Sequence, residues 1–326
     1  MNSRERVMSA LAGEQPDRVP FCEGSVDQVI ARALAGSDQD LSEREISDML
    51  DRDVVVAVVF PPYFADQEVG QDGQSYVTTG WIRKRDDLDK MRFPDPEDPA
   101  LYEDAKKVLE ERGDHAAAAA IKLGVAPMLI SMGLDGFSYA LVDDPDLIHE
   151  VLRRYTEWQL VVTENLIDLG FDFLWSFDDV AYKSGPFCSL DTFREFLMPA
   201  LHRVAEAITI PWIFHSDGDI MPLMDDLITL GMDGIHPLEP GPMDLAEVKD
   251  LYGDQLCLVG NVSVDALSSA APAQVDAIVK DCIAAAGPGG GYMISSSNSI
   301  PSYADPENVR VMAEAIQRYG RYPLSP

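Results

Sequence analysis

A histidine and an aspartate stand one residue apart at His215-Ser216-Asp217, directly after the apolar run 211–214. In an extended segment alternate side chains share a face, so His215 and Asp217 can address one ion or one proton while Ser216 turns away. Imidazole and carboxylate together suit zinc or a harder divalent cation. Without a metal, the same two groups serve as acid and base. The architectural alternative has Asp217 capping a helix that starts near Asp219, with His215 bonded to backbone. Further polar side chains stand just beyond other apolar runs: Glu23, Lys122, Asp178 with Asp179, His236 with Glu239, Asn261 and Asn298. Asp178 reads as a third catalytic group with His215 and Asp217, and His215 and Asp217 as the metal ligands. Glu23, Lys122, Asp179, His236, Glu239, Asn261 and Asn298 read as substrate-binding groups. Any one of them alone fits a capped loop or a satisfied core polar group; the collection points to a site. Cys22 and Cys188 are soft-ligand candidates, but they read better as buried packing residues.

The elements that would bring these residues together are eight short runs at 18–24, 54–60, 116–123, 171–179, 211–218, 233–240, 256–263 and 290–298. Their nearly continuous apolar character is what a parallel strand covered on both faces requires. The alanine run at 116–123 favours helix by propensity, yet Gly113 and Gly124 bracket it and the rhythm asks for a strand there. Helical patterns lie between the runs. Ser42 with Glu45 forms a capping box for a helix reaching Asp51, Pro99 opens another, and Asp191 caps a third over 193–208. A longer one fills 144–169, and the rest are expected at 219–230, 243–252, 272–286 and 305–319. Alternation of this kind predicts an α/β fold, a single (β/α)8 TIM barrel over residues 1–326. An open dinucleotide-binding sheet is disfavoured, since no G-x-G-x-x-G follows the first run. Residues 66–98 break the rhythm, and Gln71-Asp72-Gly73-Gln74 marks a small β-hairpin excursion after the second strand. In such a barrel the carboxyl ends of the strands converge on one cleft.

Composition bounds the function. Fifty-six acidic against 25 basic residues give a formal charge of −31, which repels phosphate backbones and argues against nucleic-acid binding. It also weighs against a polycarboxylate substrate. No apolar run approaches the length of a membrane span, and the first residues, MNSRERVMSALAG, form an amphipathic helix without the apolar stretch of a signal peptide. Four scattered cysteines are no disulfide framework and fit a reducing cytoplasm.

Several segments, in order, resemble the uroporphyrinogen decarboxylase superfamily: SRERVMSALAGEQPDRVPF at the start, APMLISMG, FREFLMPALHRV, HSDGDIMPLMDDLITLGMDGIHPLEP, MDLAEVKDLYGDQLCLVGNVS, and GGGYMISSSNSIP near the end. The resemblance implies a (β/α)8 barrel and leaves two chemistries, porphyrinogen decarboxylation or corrinoid-linked methyl transfer. The decarboxylases carry an R-Q-A-G-R loop after the first strand, where this chain has Glu23-Gly24-Ser25-Val26-Asp27. Their aspartate after the second strand is replaced by Phe60-Pro61-Pro62, their tyrosine falls at Gly133, and their late histidine at Asn298. The methyltransferase branch binds zinc through His-x-Cys and a later cysteine. His215 matches the histidine, whereas Asp217 and Asn298 stand where the cysteines would be. A carboxylate and an amide make a harder site than thiolates, suited to an oxygen or nitrogen of a methyl donor. The resemblance thus favours a methyltransferase or demethylase moving a methyl group between a small methylated substrate and a corrinoid carried by a separate protein, with a divalent metal, zinc, as cofactor. The competing readings are a carboxy-lyase of altered substrate, with Lys122 as its cationic contact, and a non-catalytic ligand-binding barrel.

Overall fold

The computed structural model describes residues 1–70 and 75–324. Its centre is a parallel sheet whose members are β1 (Val54–Val58), β4 (Ala116–Ile121), β5 (Phe173–Phe177), β8 (Trp212–His215), β9 (Gly234–His236), β10 (Cys257–Val259) and β11 (Tyr292–Met293), paired in that order. Helices connect successive members, as parallel pairing demands, and the sheet curls into a TIM-barrel-like α/β fold. The remaining strands form two antiparallel ribbons. β2 (Ala65–Val69) pairs with β3 (Ser75–Gly80), and β6 (Ala181–Tyr182) with β7 (Gly185–Pro186). The expected turn at 71–74 lies outside the described residues.

Alternation along each strand separates two cores. Val54, Val56, Ala116, Ala118, Ala120, Phe173, Trp175, Ile213, Cys257, Val259 and Met293 fill the inside, plugged by Val7, Ala10 and Leu11 of the helix Ser3–Leu11. The alternate residues, among them Val55, Ala117, Ile121, Leu174, Phe214 and Leu258, face the surrounding helices. The alanine run is a fully buried strand despite its helix propensity. Its small side chains lie next to Phe173 and Trp175 of β5, so β4 makes the room that the aromatics fill.

The first expected strand needs correction. Residues 18–24 make isolated bridges and not a strand, although they touch both ends of the sheet. Phe21 accepts from Asp53 N at 2.8 Å, while Cys22 N and Ile294 N reach across the other side at 2.9 Å each. A ladder cannot extend there. Pro20 has no N–H, and the Phe21 N–H goes to the buried carboxylate of Asp53 at 2.8 Å. The helix expected to begin at Asp191 is instead capped by Ser189, whose hydroxyl accepts from Thr192 N. The Ser42–Glu45 capping box is present as expected. Among the described residues, no single helix is long and apolar enough to cross a membrane.

Candidate active site

The carboxyl ends of β5, β8 and β9 carry a cluster of polar side chains. His215 ends β8 and is nearly buried; its Nε2 lies 3.4 Å from Asp179 Oδ1 and 3.7 Å from Asp217 Oδ1. One ligand atom from each of these three residues fits within a 4.8 Å span. The other ring nitrogen, Nδ1, meets Nδ1 of fully buried His236 at 2.6 Å. Asn298 Nδ2 donates to Asp217 Oδ2 at 2.5 Å, and Asp217 N donates to Asp179 Oδ1 at 3.1 Å. Asp217 Oδ1 is buried with no hydrogen-bond partner. An orphaned, inward-facing carboxylate oxygen beside a second carboxylate and an imidazole nitrogen is what a divalent cation would satisfy, so the residues fit zinc or a harder ion.

The backbone fixes this geometry. Ser216, as expected, turns away from the cluster, and its hydroxyl accepts from Val180 N at 3.0 Å. Gly218 has φ of 88°, and its N–H donates to Glu239 Oε2 at 2.8 Å. A side chain there would stand 2.6 Å from the backbone of Tyr182, so the β6–β7 ribbon closes on this loop only because residue 218 is glycine. The ribbon also supplies Lys183, whose Nζ lies 3.0 Å from Glu239 Oε1.

Electrostatics separates the acids. Burial pushes the Asp217 carboxyl up to about 6; His215 opposes that shift and the charges of Asp179 and Glu239 reinforce it. Burial also acts on Asp179, but the hydrogen bond and charge of His215 outweigh it and hold the group down at about 2. Burial, with His215 next to it, keeps His236 well below the usual histidine range.

Two expected assignments are corrected. Asp178 does not face His215. It is fully buried, and its carboxylate accepts from Leu123 N and, at 2.9 Å, from Ala126 N at the start of the helix Val125–Met132. Both oxygens are committed to backbone, so Asp178 ties β5 to that helix and Asp179 takes the place beside His215. Asn261 is likewise committed: Nδ2 donates to Leu238 O at 2.6 Å, and Oδ1 accepts from Cys282 Sγ at 3.5 Å. Through these bonds it braces the β9 and β10 ends against each other.

The other expected residues lie at the same end of the sheet. Glu23 is fully buried and accepts from Ser296 N at 2.7 Å and Ser296 Oγ at 3.1 Å; burial pushes its carboxyl up to about 7. Lys122 is nearly buried, with Nζ 4.9 Å from the centre of the Phe60 ring. Cys22 is buried and Cys188 half-buried, and burial raises both thiols, Cys188 to about 11, as packing residues behave.

Two clefts flank the cluster. A polar one of about 270 Å³ is lined by Asp217, Glu239, Asn298, Lys183, Asp265 and Tyr303. An apolar one of about 310 Å³ has Asp179 at its edge and is otherwise walled by residues such as Val77, Ala126, Leu129, Ile130 and Phe187. Lys183, Asp265 and Tyr303 escape a reading of strand ends because they sit on the ribbon, on the helix Val264–Ser269 and on a loop. The Ser184-Gly185 pair is a turn signal that could have marked the ribbon.

Comparison with known proteins agrees with this architecture. The chain is 27% identical to the methylcobamide:CoM methyltransferase of Methanosarcina barkeri over 68% of its own length, and that match spans 64% of the relative. It is 24% identical to the uroporphyrinogen decarboxylase of Chlorobium phaeovibrioides, over 81% of this chain and 80% of that one. A solved structure described as a methyltransferase from Methanosarcina mazei superposes with a TM-score of 0.78 at 20% identity, covering 98% of this chain and 99% of that chain, which shows the fold. Residues 65–319 match the profile of the family described as Uroporphyrinogen decarboxylase, and the chain belongs to that family.

Proposed function

We propose that the protein is a cytoplasmic methyltransferase that takes a methyl group from a small methylated substrate and delivers it to a corrinoid held by a separate protein. The whole chain, 1–326, acts as one barrel, with residues 18–24 serving as the eighth stave. The observation that carries the reading is the Asp179–His215–Asp217 cluster, three convergent ligand atoms with one buried oxygen left unsatisfied. These residues would hold zinc or a similar ion, which supplies Lewis acidity toward the heteroatom that bears the methyl group. Asn298 fixes the rotamer of Asp217, and the Gly218 N–H and Lys183 fix Glu239. In the transfer, the carbon–heteroatom bond breaks, its electron pair stays on the heteroatom, and that atom takes a proton from the polar cleft. The methyl carbon forms its new bond with the electron pair of reduced cobalt on the partner.

Charge supports this reading over a carboxy-lyase. The polar cleft sets Asp217, Glu239 and Asp265 against Lys183 alone, a surplus of negative charge that repels a polycarboxylate. Lys122, the expected cationic contact, is nearly buried against Phe60. The test is zinc content by mass spectrometry on protein purified without chelators, with methyl transfer to reduced cobalamin measured in parallel. Replacing a residue behind a metal ligand typically costs 10–100-fold, so His215→Ala, which removes a ligand, should lose more than about 100-fold in both readouts. Because His215 is nearly buried and bonded to fully buried His236, the variant should also lose about 1–3 kcal/mol of stability, which a denaturation curve reads separately from zinc content. Methyl transfer that survives in His215→Ala, or robust decarboxylation of uroporphyrinogen by the unaltered protein, would overturn the proposal.

A further inference from the structure

Residues 20–27 and 294–300 run side by side, with parallel bridges at Phe21–Ile294 and Val26–Ile300. Backbone bonds make both bridges: Cys22 N and Ile294 N donate at one, Asp27 N and Ile300 N at the other, each over 2.9 Å. Between the bridges, among the described residues, a side chain makes the tie. Glu23 Oε2 accepts from Ser296 N at 2.7 Å and Oε1 from Ser296 Oγ at 3.1 Å, and both residues are fully buried. The carboxyl group stands in for a missing rung. On the other side of the segment, Val262 N donates to Ser295 O and Ser297 N to Val262 O. Two routes lead from Ser296 to the Asp179–His215–Asp217 cluster. Two residues on, Asn298 Nδ2 donates to Asp217 Oδ2. His236, bonded to His215, has its Nε2 buried with no hydrogen-bond partner, and the Ser296 backbone favours a proton on that ring.

We propose that Glu23 is a positioning residue for the cluster: by fixing Ser296 it sets the segment that carries Asn298 to Asp217 and the backbone that acts on His236. The inference rests on the cluster being the reactive centre, but its geometry stands separately. An apolar side chain at position 23 would strand a buried amide, whereas a glutamine would tie Ser296 as well, so a strut alone has no need of an ionisable group. Burial pushes the Glu23 carboxyl up to about 7, against its bonds to Ser296 and the charge of Arg52, so the tie changes its proton near neutrality. Arg52, whose Nη1 donates to Glu23 O at 3.2 Å, and the Cys22 thiol are the titratable groups acting there. Ionised, the carboxylate accepts from Ser296 Oγ; protonated, it can donate to that hydroxyl. The tie is then re-polarised and not broken, and what lies downstream of Ser296 should register the change.

The test follows the Ser296 backbone amide and the Asn298 side-chain amide by NMR against pH, on the full chain without metal. Both signals should share a step near pH 7, and Asn298 should show a second step near 6 from Asp217. Glu23→Gln, which keeps both bonds to Ser296, should abolish the step near 7 in both signals and leave the one near 6. In a second arm, zinc affinity is read by competition with a chelator. Glu23→Leu should lose about tenfold, the low end for a group behind a metal ligand, and Glu23→Gln should restore it to within about twofold. Should Glu23→Leu not fold, the pH series on the unaltered protein and Glu23→Gln decides. A Ser296 signal that titrates near 7 while Asn298 shows the step near 6 alone would overturn the proposal, as would unchanged zinc affinity in a folded Glu23→Leu. The pH series needs neither zinc nor methyl transfer. A shared step in a protein that binds no zinc therefore sustains the positioning role and counts against the metal reading, and zinc binding without a shared step does the reverse.

Discussion

His215 faces its two aspartates through Nε2 and His236 through Nδ1, so its tautomer follows from what Nε2 holds. An ion on Nε2 takes that lone pair, and Nδ1 must then carry the proton and donate to His236. His236 is therefore a positioning residue for the ion. His236→Phe should keep the aromatic packing against Trp175 but lower zinc affinity about 10–100-fold, measured by chelator competition. Asp217 sets a pH edge. Its folded carboxyl sits at about 6, above the ordinary aspartate value, so a proton competes with the ion below that pH. Zinc affinity should fall as pH drops through about 6, and Asp217→Asn should bind more weakly than the unaltered protein at neutral pH. Stability of the metal-free protein should show the opposite sign, since a raised carboxyl favours the folded state when protonated and that advantage is lost as pH rises through about 6. Asp179 is lowered, so its contribution is present above the ordinary value and is lost as pH falls toward about 2.

At the scale of elements, the site hangs on loops held by a few backbone contacts. Gly218→Ala places a side chain on the Tyr182 backbone at φ of 88°. It should cost about 1–3 kcal/mol in chemical denaturation and reduce zinc affinity, because Asp217 moves with the loop. Asn261→Ala removes the brace to Leu238 and leaves a buried carbonyl unsatisfied, at a cost of about 1–3 kcal/mol. If Asn261 is a brace, zinc affinity and substrate affinity in the folded variant should change little; selective loss of substrate affinity would return it to the binding role. Element identity was legible where a local signal was strong, as in the Ser42–Glu45 box and the helix Pro145–Leu169 ending at Gly170. It failed where distant partners decide. Asp178 and Asp179 are equivalent in sequence, and amides 52–55 residues away choose which one turns from the cleft.

The molecule as a whole carries a charge of −31, which repels itself in the folded state. Raising NaCl from about 0.05 to 1 M shortens the screening length to about 3 Å and should raise the melting temperature. A melting temperature that falls with salt would mean that ion pairs such as Arg6–Asp53 and Arg18–Asp53, beneath the barrel, outweigh the net repulsion. Parallel strands buried on both faces, their order, and polar residues at their carboxyl ends followed from the sequence alone, because apolar periodicity and turn residues are local. Tertiary structure decided the rest. It replaced a ladder at 18–24 with bridges, since Asp53 captures the Phe21 amide. It also made Asp179 the third member of the cluster, bonded Asn261 to the backbone of Leu238, and set an acidic cleft beside Asp217 and an apolar one beside Asp179. Those outcomes depend on which side chains meet across the barrel mouth, and no spacing along the chain encodes that, because the contacts join residues tens to hundreds of positions apart.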